Sequence, residues 1–257
     1  MARLSKYFSV KVKPIITAKE QEDNGALEAN DVLFDWTAFK LPKGGNRLIG
    51  ITALVRGLEG VLNQIEMDVY FASATQGHGG VTAGAKPTSI GVNDGAMGTV
   101  VTNPFFNDLL GSAQVLAADY THGATTAIGH SVIPNKPIII GESKASEDSE
   151  GNVTCYIAAT AVGTPTLHSN VAINETDIAA GAETVITVTG TGANLVFAPG
   201  DVIHAHDDAV VGTIKTVDSA TQITLMKANT AAIQGTDSTA DRLYNISPIQ
   251  FILSFER

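Results

Sequence analysis

The chain has 257 residues, of which 44% are hydrophobic and 16% charged, against a charged share of about 25% in ordinary globular proteins. Apolar residues spread along the whole length exclude a disordered chain, and the net charge of −10 argues against nucleic-acid binding, whose footprint is a basic stripe. The single cysteine, Cys155, excludes an intrachain disulfide framework, and no CxxC is present to suggest zinc or redox chemistry.

The charge is unevenly placed. Residues 1–47 carry eight Lys/Arg against six acids, while the remainder carries 20 acids against eight bases. A basic start that includes Lys6, Lys11 and Lys13 has two readings. It docks onto an acidic protein surface, or it guards an edge strand against sheet-to-sheet aggregation. No apolar h-region follows the start, which predicts no signal peptide. No run approaches the length needed to span a bilayer, so a membrane partner is not expected.

In chain order, Tyr7–Val12 reads as a short strand. Val32, Phe34 and Trp36 share one face of a second, with Asp35 and Thr37 opposite. Lys43-Gly44-Gly45-Asn46 reads as a hairpin turn in which glycine supplies positive φ. Leu48–Arg56 is apolar nearly throughout, which predicts a central strand covered on both faces. Ile65, Met67, Val69 and Phe71 alternate strictly with Glu66, Asp68 and Tyr70, the mark of a half-buried strand.

Gly77 to Ile133 is rich in small and polar residues and lacks periodicity, so long ordered loops are expected there. Within them Pro104–Leu110 reads as a short helix, with Asn103 as N-cap and Pro104 at its first position. Loops this long are commonly functional or held by a partner. His78, Phe105 and Phe106 therefore join Lys6, Lys11 and Lys13 as candidate docking residues. Pro137–Gly141 and Val153–Ala159 are further strand candidates, the latter with Cys155 as a small buried apolar residue.

The texture changes near Thr164-Pro165. Thr184–Thr189, Val202–Ala205, Val210–Val217 and Gln222–Met226 are short strands, with turns at Pro199-Gly200-Asp201 and Asp218-Ser219-Ala220. They suit a small barrel or sandwich of SH3-like size. The last segment places Ile249, Phe251, Leu253 and Phe255 on one face, too much bulk for so small a core. Ser247–Arg257 is therefore expected to return to the first unit and pair beside Ile65–Ala72. The fold expectation is all-β: a β-sandwich or jelly-roll-like body of residues 1–164 plus 240–257, with a β-barrel-like module, 165–239, inserted between two of its strands.

Chemistry-bearing patterns are sparse. On a strand, His204 and His206 would point to one face and could chelate a metal with Asp207 or Asp208 nearby, but two imidazoles fall short of a closed site. The competing reading is a strand running into a polar hairpin. Gly77–Lys86 lacks the lysine and hydroxyl placement of a phosphate loop. No Gly-x-Ser-x-Gly elbow is present, and Glu147, Asp148 and Glu150 lie in what reads as a solvated turn. The expectation is a non-enzymatic protein with no catalytic residues, no cofactor and no metal beyond the weak His204, His206, Asp208 candidate.

Phe34-Asp35-Trp36-Thr37-Ala38-Phe39 and the stretch Leu48 to Arg56 resemble virion structural proteins of tailed bacteriophages, marine and cyanobacterial ones in particular. The segments Phe197–Ile203 and Val211–Leu225 are similar to small β modules in phage structural proteins. The resemblance implies a capsid decoration or cement protein of the virion, assembled in the host cytoplasm. Its implied partners are the major capsid protein or other virion proteins, and further copies of itself in a homo-oligomer. An alternative within the same resemblance is a tail, neck or fibre component with a receptor- or glycan-binding module. No helical periodicity is long enough for the spine helix of a main shell subunit.

Overall fold

A computed structural model describes residues 6–22, 27–57, 64–77, 82–93, 95–98, 104–122, 126–132, 138–140, 146–165, 170–173, 177–189, 192–233 and 242–257. The strands are β1 (Tyr7–Val12), β2 (Val32–Pro42), β3 (Asn46–Arg56), β4 (Met67–Ser73), β5 (Leu109–Val115), β6 (Tyr120–His122), β7 (Thr126–Val132), β8 (Ile138–Ile140) and β9 (Asn152–Ala161). There follow β10 (Asn170–Ala172), β11 (Val185–Thr187), β12 (Val202–His204), β13 (Val210–Ser219), β14 (Gln222–Leu225), β15 (Arg242–Asn245) and β16 (Ile249–Glu256). The short helices α1 (Ala18–Glu22) and α2 (Ala193–Val196) interrupt them. The fold is all-β and sandwich-like.

Two antiparallel sheets face each other. One runs β1-β16-β3-β7-β6, with β8 also on β3; the other runs β2-β9-β4-β5. Alternation explains the core between them. Phe251, Leu253 and Phe255 of β16 and Ile51, Ala53 and Val55 of β3 point inward against Met67, Val69 and Phe71 of β4 and Cys155, Ile157 and Ala159 of β9. Rings bridge the gap, Phe34 to Phe251 at 5.7 Å and Phe39 to Phe255 at 6.5 Å between centroids. Each fully buried side chain of this size contributes roughly 1.5–3 kcal/mol.

The second sheet is covered on its outer face too. Val32, Trp36, Ala72, Ile90, Phe105, Tyr156 and Ala158 form a separate cluster there. Two register shifts in β2, at Val32/Phe34 and Phe34/Thr37, put Val32 and Trp36 in that outer cluster and Phe34 in the main core. The single shared face expected of these three residues is thus split by bulges, which re-aim side chains.

Four features differ from expectation. β16 lies between β1 and β3, not beside β4, whose neighbours are β5 and β9. Alternation dictates which face a strand buries and leaves its neighbour open. Residues 43–46 do turn, but β2 and β3 belong to different sheets, so the turn is a corner and not a hairpin. Gly44 takes φ +120 there, a region glycine alone enters readily, and the buried Asn46 side chain donates to the carbonyls of Pro42 and Gly44. β3 is central, but only one of its faces is fully buried; Arg47, Thr52, Leu54 and Arg56 are half-buried on the other. The stretch 77–133 holds β5, β6 and β7, and the helix expected over 104–110 is a 3-10 turn, Pro104–Asn107, with Leu109 and Leu110 already in β5. Asn103 lies outside the described residues.

A third sheet, β10-β15-β12-β13-β14-β11, carries its own core of Val171, Ile186, Val196, Phe197, Ile203, Ile214, Ile223 and Leu243. It curls until its edges touch at one bridge, Ile173 with Val188, without closing into a barrel. The unit is tied to the sandwich by polar contacts. Arg56 Nη2 lies 3.3 Å from Asp201 Oδ2, Gly57 N donates to Leu195 O, and Gln21 Nε2 donates to Ile16 O and Asn245 O.

Candidate docking surface

Among the described residues, a cleft forms where the chain passes from β1 to α1 beside β2. It has a volume of about 290 Å³ and is lined by Lys13, Ile15, Glu20, Phe34 to Thr37, Lys86 and Asn93. Thr17 and Glu20 make a capping box, because Glu20 Oε2 accepts from Thr17 N at 2.6 Å and Thr17 Oγ1 accepts from Glu20 N at 3.2 Å. Across from it, Asp35 accepts from Ile90 N at 3.0 Å and pairs with Lys86 Nζ at 2.7 Å. Asn93 Nδ2 donates to Leu33 O, and Trp36 Nε1 donates to Thr88 O at 2.9 Å.

The groups able to act as acid or base are therefore employed in holding the walls. Glu20 caps a helix and Asp35 anchors the 86–93 segment. Among the described residues, Lys13 is the cleft's one charged group without a hydrogen bond or ion pair. Ile15 is 64% exposed, and Val92, next to Asn93 in sequence, is 75% exposed. Apolar side chains with one ammonium suit contact with another protein's surface better than they suit proton transfer.

The sequence-predicted residues scatter. Lys11 and Lys13 are exposed, and Lys6 pairs with Glu256 at 2.6 Å. That contact raises the Lys6 pKa and lowers that of Glu256, in both cases chiefly through the shared hydrogen bond. Phe105 is a correction. It is fully buried, edge-on to Trp36 at 5.8 Å and stacked on Phe106 at 4.1 Å, because an apolar ring is needed to cover the outer face of the second sheet. Phe106 is half-buried against the same cluster. His78 lies outside the described residues.

His204 and His206 stand on different elements. β12 ends at His204, and His206 belongs to the turn that follows. His204 Nδ1 donates to Asp208 O at 2.8 Å. The Asp208 carboxylate, on a residue at φ +65, accepts from Ala18 N at 2.6 Å, tying the module to the start of α1. Among the described residues no group of three or more His, Cys, Asp or Glu is placed to hold a metal ion. Cys155 is buried in the main core. No described helix is long and apolar enough to cross a membrane.

Sequence reasoning missed Ile15, Asp35, Lys86 and Asn93 as neighbours. Nothing local connects positions 35 and 86; the link is residues 82–93 and 95–98 folding back along β2, with bridges from Asp31 to Ala96 and Val32 to Asn93.

No family model matches the chain, and no curated protein does. Among solved structures, dimeric latent PorU from Porphyromonas gingivalis aligns over 98% of this chain at 10% identity with a TM-score of 0.12, and the chain spans 20% of that protein's length. A likeness of that degree establishes neither fold nor function.

Proposed function

We propose that the protein is a non-enzymatic structural component of a virion, and that its place is on the capsid as a decoration or cement protein. The observation that carries the reading is the way a long, small-residue segment is held. Residues 82–93 and 95–98 run as an irregular but hydrogen-bonded layer along β2, pinned by Asp35, Trp36 and the two bridges. Holding so much irregular chain in one place costs conformational entropy, and a rigid docking surface is a reason to hold it. Beside it sits a cleft whose carboxylates brace its walls while Lys13, Ile15 and Val92 face solvent. The resemblance of Phe34–Phe39 and Leu48–Arg56 to tailed-phage virion proteins supplies the kind of partner, another virion protein.

Quantitative mass spectrometry of purified particles tests this. A decoration protein is present in tens to hundreds of copies. A handful of copies would move it to the tail, neck or fibre, and absence from particles would end the virion reading altogether.

A further inference from the structure

Among the described residues, β1 is the outer strand of its sheet, paired only with β16. Arg257 N donates to Lys6 O at 2.8 Å, so in this antiparallel ladder residues 6, 8, 10 and 12 exchange bonds with β16. The amides and carbonyls of Tyr7, Ser9 and Lys11 then point away from it. No described residue hydrogen-bonds the outward amides of Ser9 or Lys11, and the Lys11 side chain is exposed with no ion pair among the described residues. The same edge leaves apolar surface open. Phe8 and Val10 are only half-buried against the main core, and Tyr7 is 55% exposed.

We propose that two copies of the chain pair edge to edge through β1, antiparallel about a two-fold axis at Ser9, to make one sheet continuous across both. The register is self-complementary. Ser9 faces Ser9 of the second copy, and Tyr7 faces its Lys11, so no like charges meet directly. Lys11 is brought beside the Tyr7 ring of the second copy, whose other neighbour is that copy's own Lys6, with Nζ at 5.3 Å from the ring centroid and ion-paired to Glu256. Beyond that ring lies Glu256, the β16 residue opposite Tyr7, a carboxylate one strand further on. On the inner side, Phe8 meets Val10 of the second copy and both cover the open end of the core. A shift of one residue would bring inward-facing amides to the edge and lose every bond. The self-match in hydrogen-bond phase, charge and apolar cover is the reason to name a second copy as the occupant. The inference concerns the chain itself and does not depend on where in a particle it sits.

Sedimentation of the full chain together with cysteine cross-linking tests it. The native chain is expected to form a dimer. Ser9→Pro, which removes an outward amide and leaves the β16 ladder intact, is expected to be monomeric with an unchanged circular dichroism spectrum. Independently, the two-fold sets the Ser9 Cα atoms about 5.5 Å apart, within disulfide reach of about 4.4–6.8 Å. Oxidation should therefore link Ser9→Cys chains. Tyr7→Cys chains, about 14 Å from their mates along the strand, should stay apart, and a mixture of Tyr7→Cys with Lys11→Cys should cross-link. A monomeric native chain would overturn the proposal and leave Lys11 as a guard of the edge. Equal cross-linking at Ser9→Cys and Tyr7→Cys would overturn the register.

Discussion

Asp201 is where the structure makes its most exposed energetic claim. Three donors converge on Asp201 Oδ2: Ala198 N at 2.9 Å, Asn245 Nδ2 at 3.0 Å and Arg56 Nη2 at 3.3 Å. The Asp201 side chain is 4% exposed and that of Arg56 15%. Asp201→Ala removes the carboxylate that faces the Arg56 guanidinium and accepts from Ala198 N, while Asn245 Nδ2 keeps its bond to Val196 O. Removing one partner of a buried charge pair costs about 3–5 kcal/mol, and the residual contact of Arg56 with water places this case near the lower end, about 3 kcal/mol. Asp201→Asn keeps the volume and one carbonyl oxygen, so a loss of about 1–2 kcal/mol is expected. Arg56→Met leaves the carboxylate its two neutral donors, and a double-mutant cycle with Asp201→Ala should show coupling of about 1–2 kcal/mol. Urea unfolding followed by far-ultraviolet circular dichroism reports all three sheets, while fluorescence of Trp36, the chain's single tryptophan, reports the sandwich. Asp201→Ala within about 0.5 kcal/mol of the native chain, with additive effects in the cycle, would refute the junction as described.

Gly129→Ala should cost about 1–3 kcal/mol in the same unfolding assay, since an added Cβ would come within 2.7 Å of Val115 Cγ1 and 2.9 Å of Tyr120 Cζ. Trp36→Phe keeps an aromatic ring but loses the bond to Thr88 O and part of the buried volume against Phe105; a loss of about 1–3 kcal/mol is expected, with faster proteolytic cleavage within residues 82–93 than in the native chain. The Lys40 hydrogen bond, helped by the amide of Asn152, holds the exposed Asp148 carboxyl at about 2, below its ordinary 3.8. A depressed carboxylate stabilises the fold above its unfolded value and loses that contribution as pH falls through its folded one. The contribution of Asp148 should therefore be full above about pH 4 and fade toward pH 2. In an NMR titration Lys40→Ala should move the Asp148 midpoint upward, and an unmoved midpoint would contradict the assigned cause.

How much of this was legible in the sequence depended on side-chain size. β1 has the bounds read from the sequence, and β16, β4 and the small strands β12 to β14 follow their alternation or turn signals closely, because bulky apolar residues mark the buried face. β5 and β7 are hard to read because small residues fill much of each for a packing reason, and β6 is only three residues long. Gly129 lies against Val115 and Tyr120, and Gly111 against Ile138, so close approach removes the bulk on which a periodic signal depends. Strand order was illegible for a different reason. β16 carries the same pattern whether it lies beside β3 or β4, and the choice is made by long-range packing of Phe251 and Phe255 against Phe34 and Phe39. The cleft was less legible still. The sequence marks Lys13 as a basic residue that docks a partner or guards an edge strand, whereas its neighbours Asp35 and Lys86 come together only because residues 82–93 fold back along β2. A loop-like context suggests exposure for Phe105, but aromatic rings in such segments cover sheets as readily as they face solvent.

Electron cryomicroscopy of particles purified from the source of this chain tests the central claim most directly. The account predicts that the two-layer sandwich and its smaller β unit fit repeated density on the outside of the shell, with the cleft at Lys13 and Ile15 against a neighbouring subunit. Shell density fully explained by other proteins, with this chain found only free in the lysate, would contradict it.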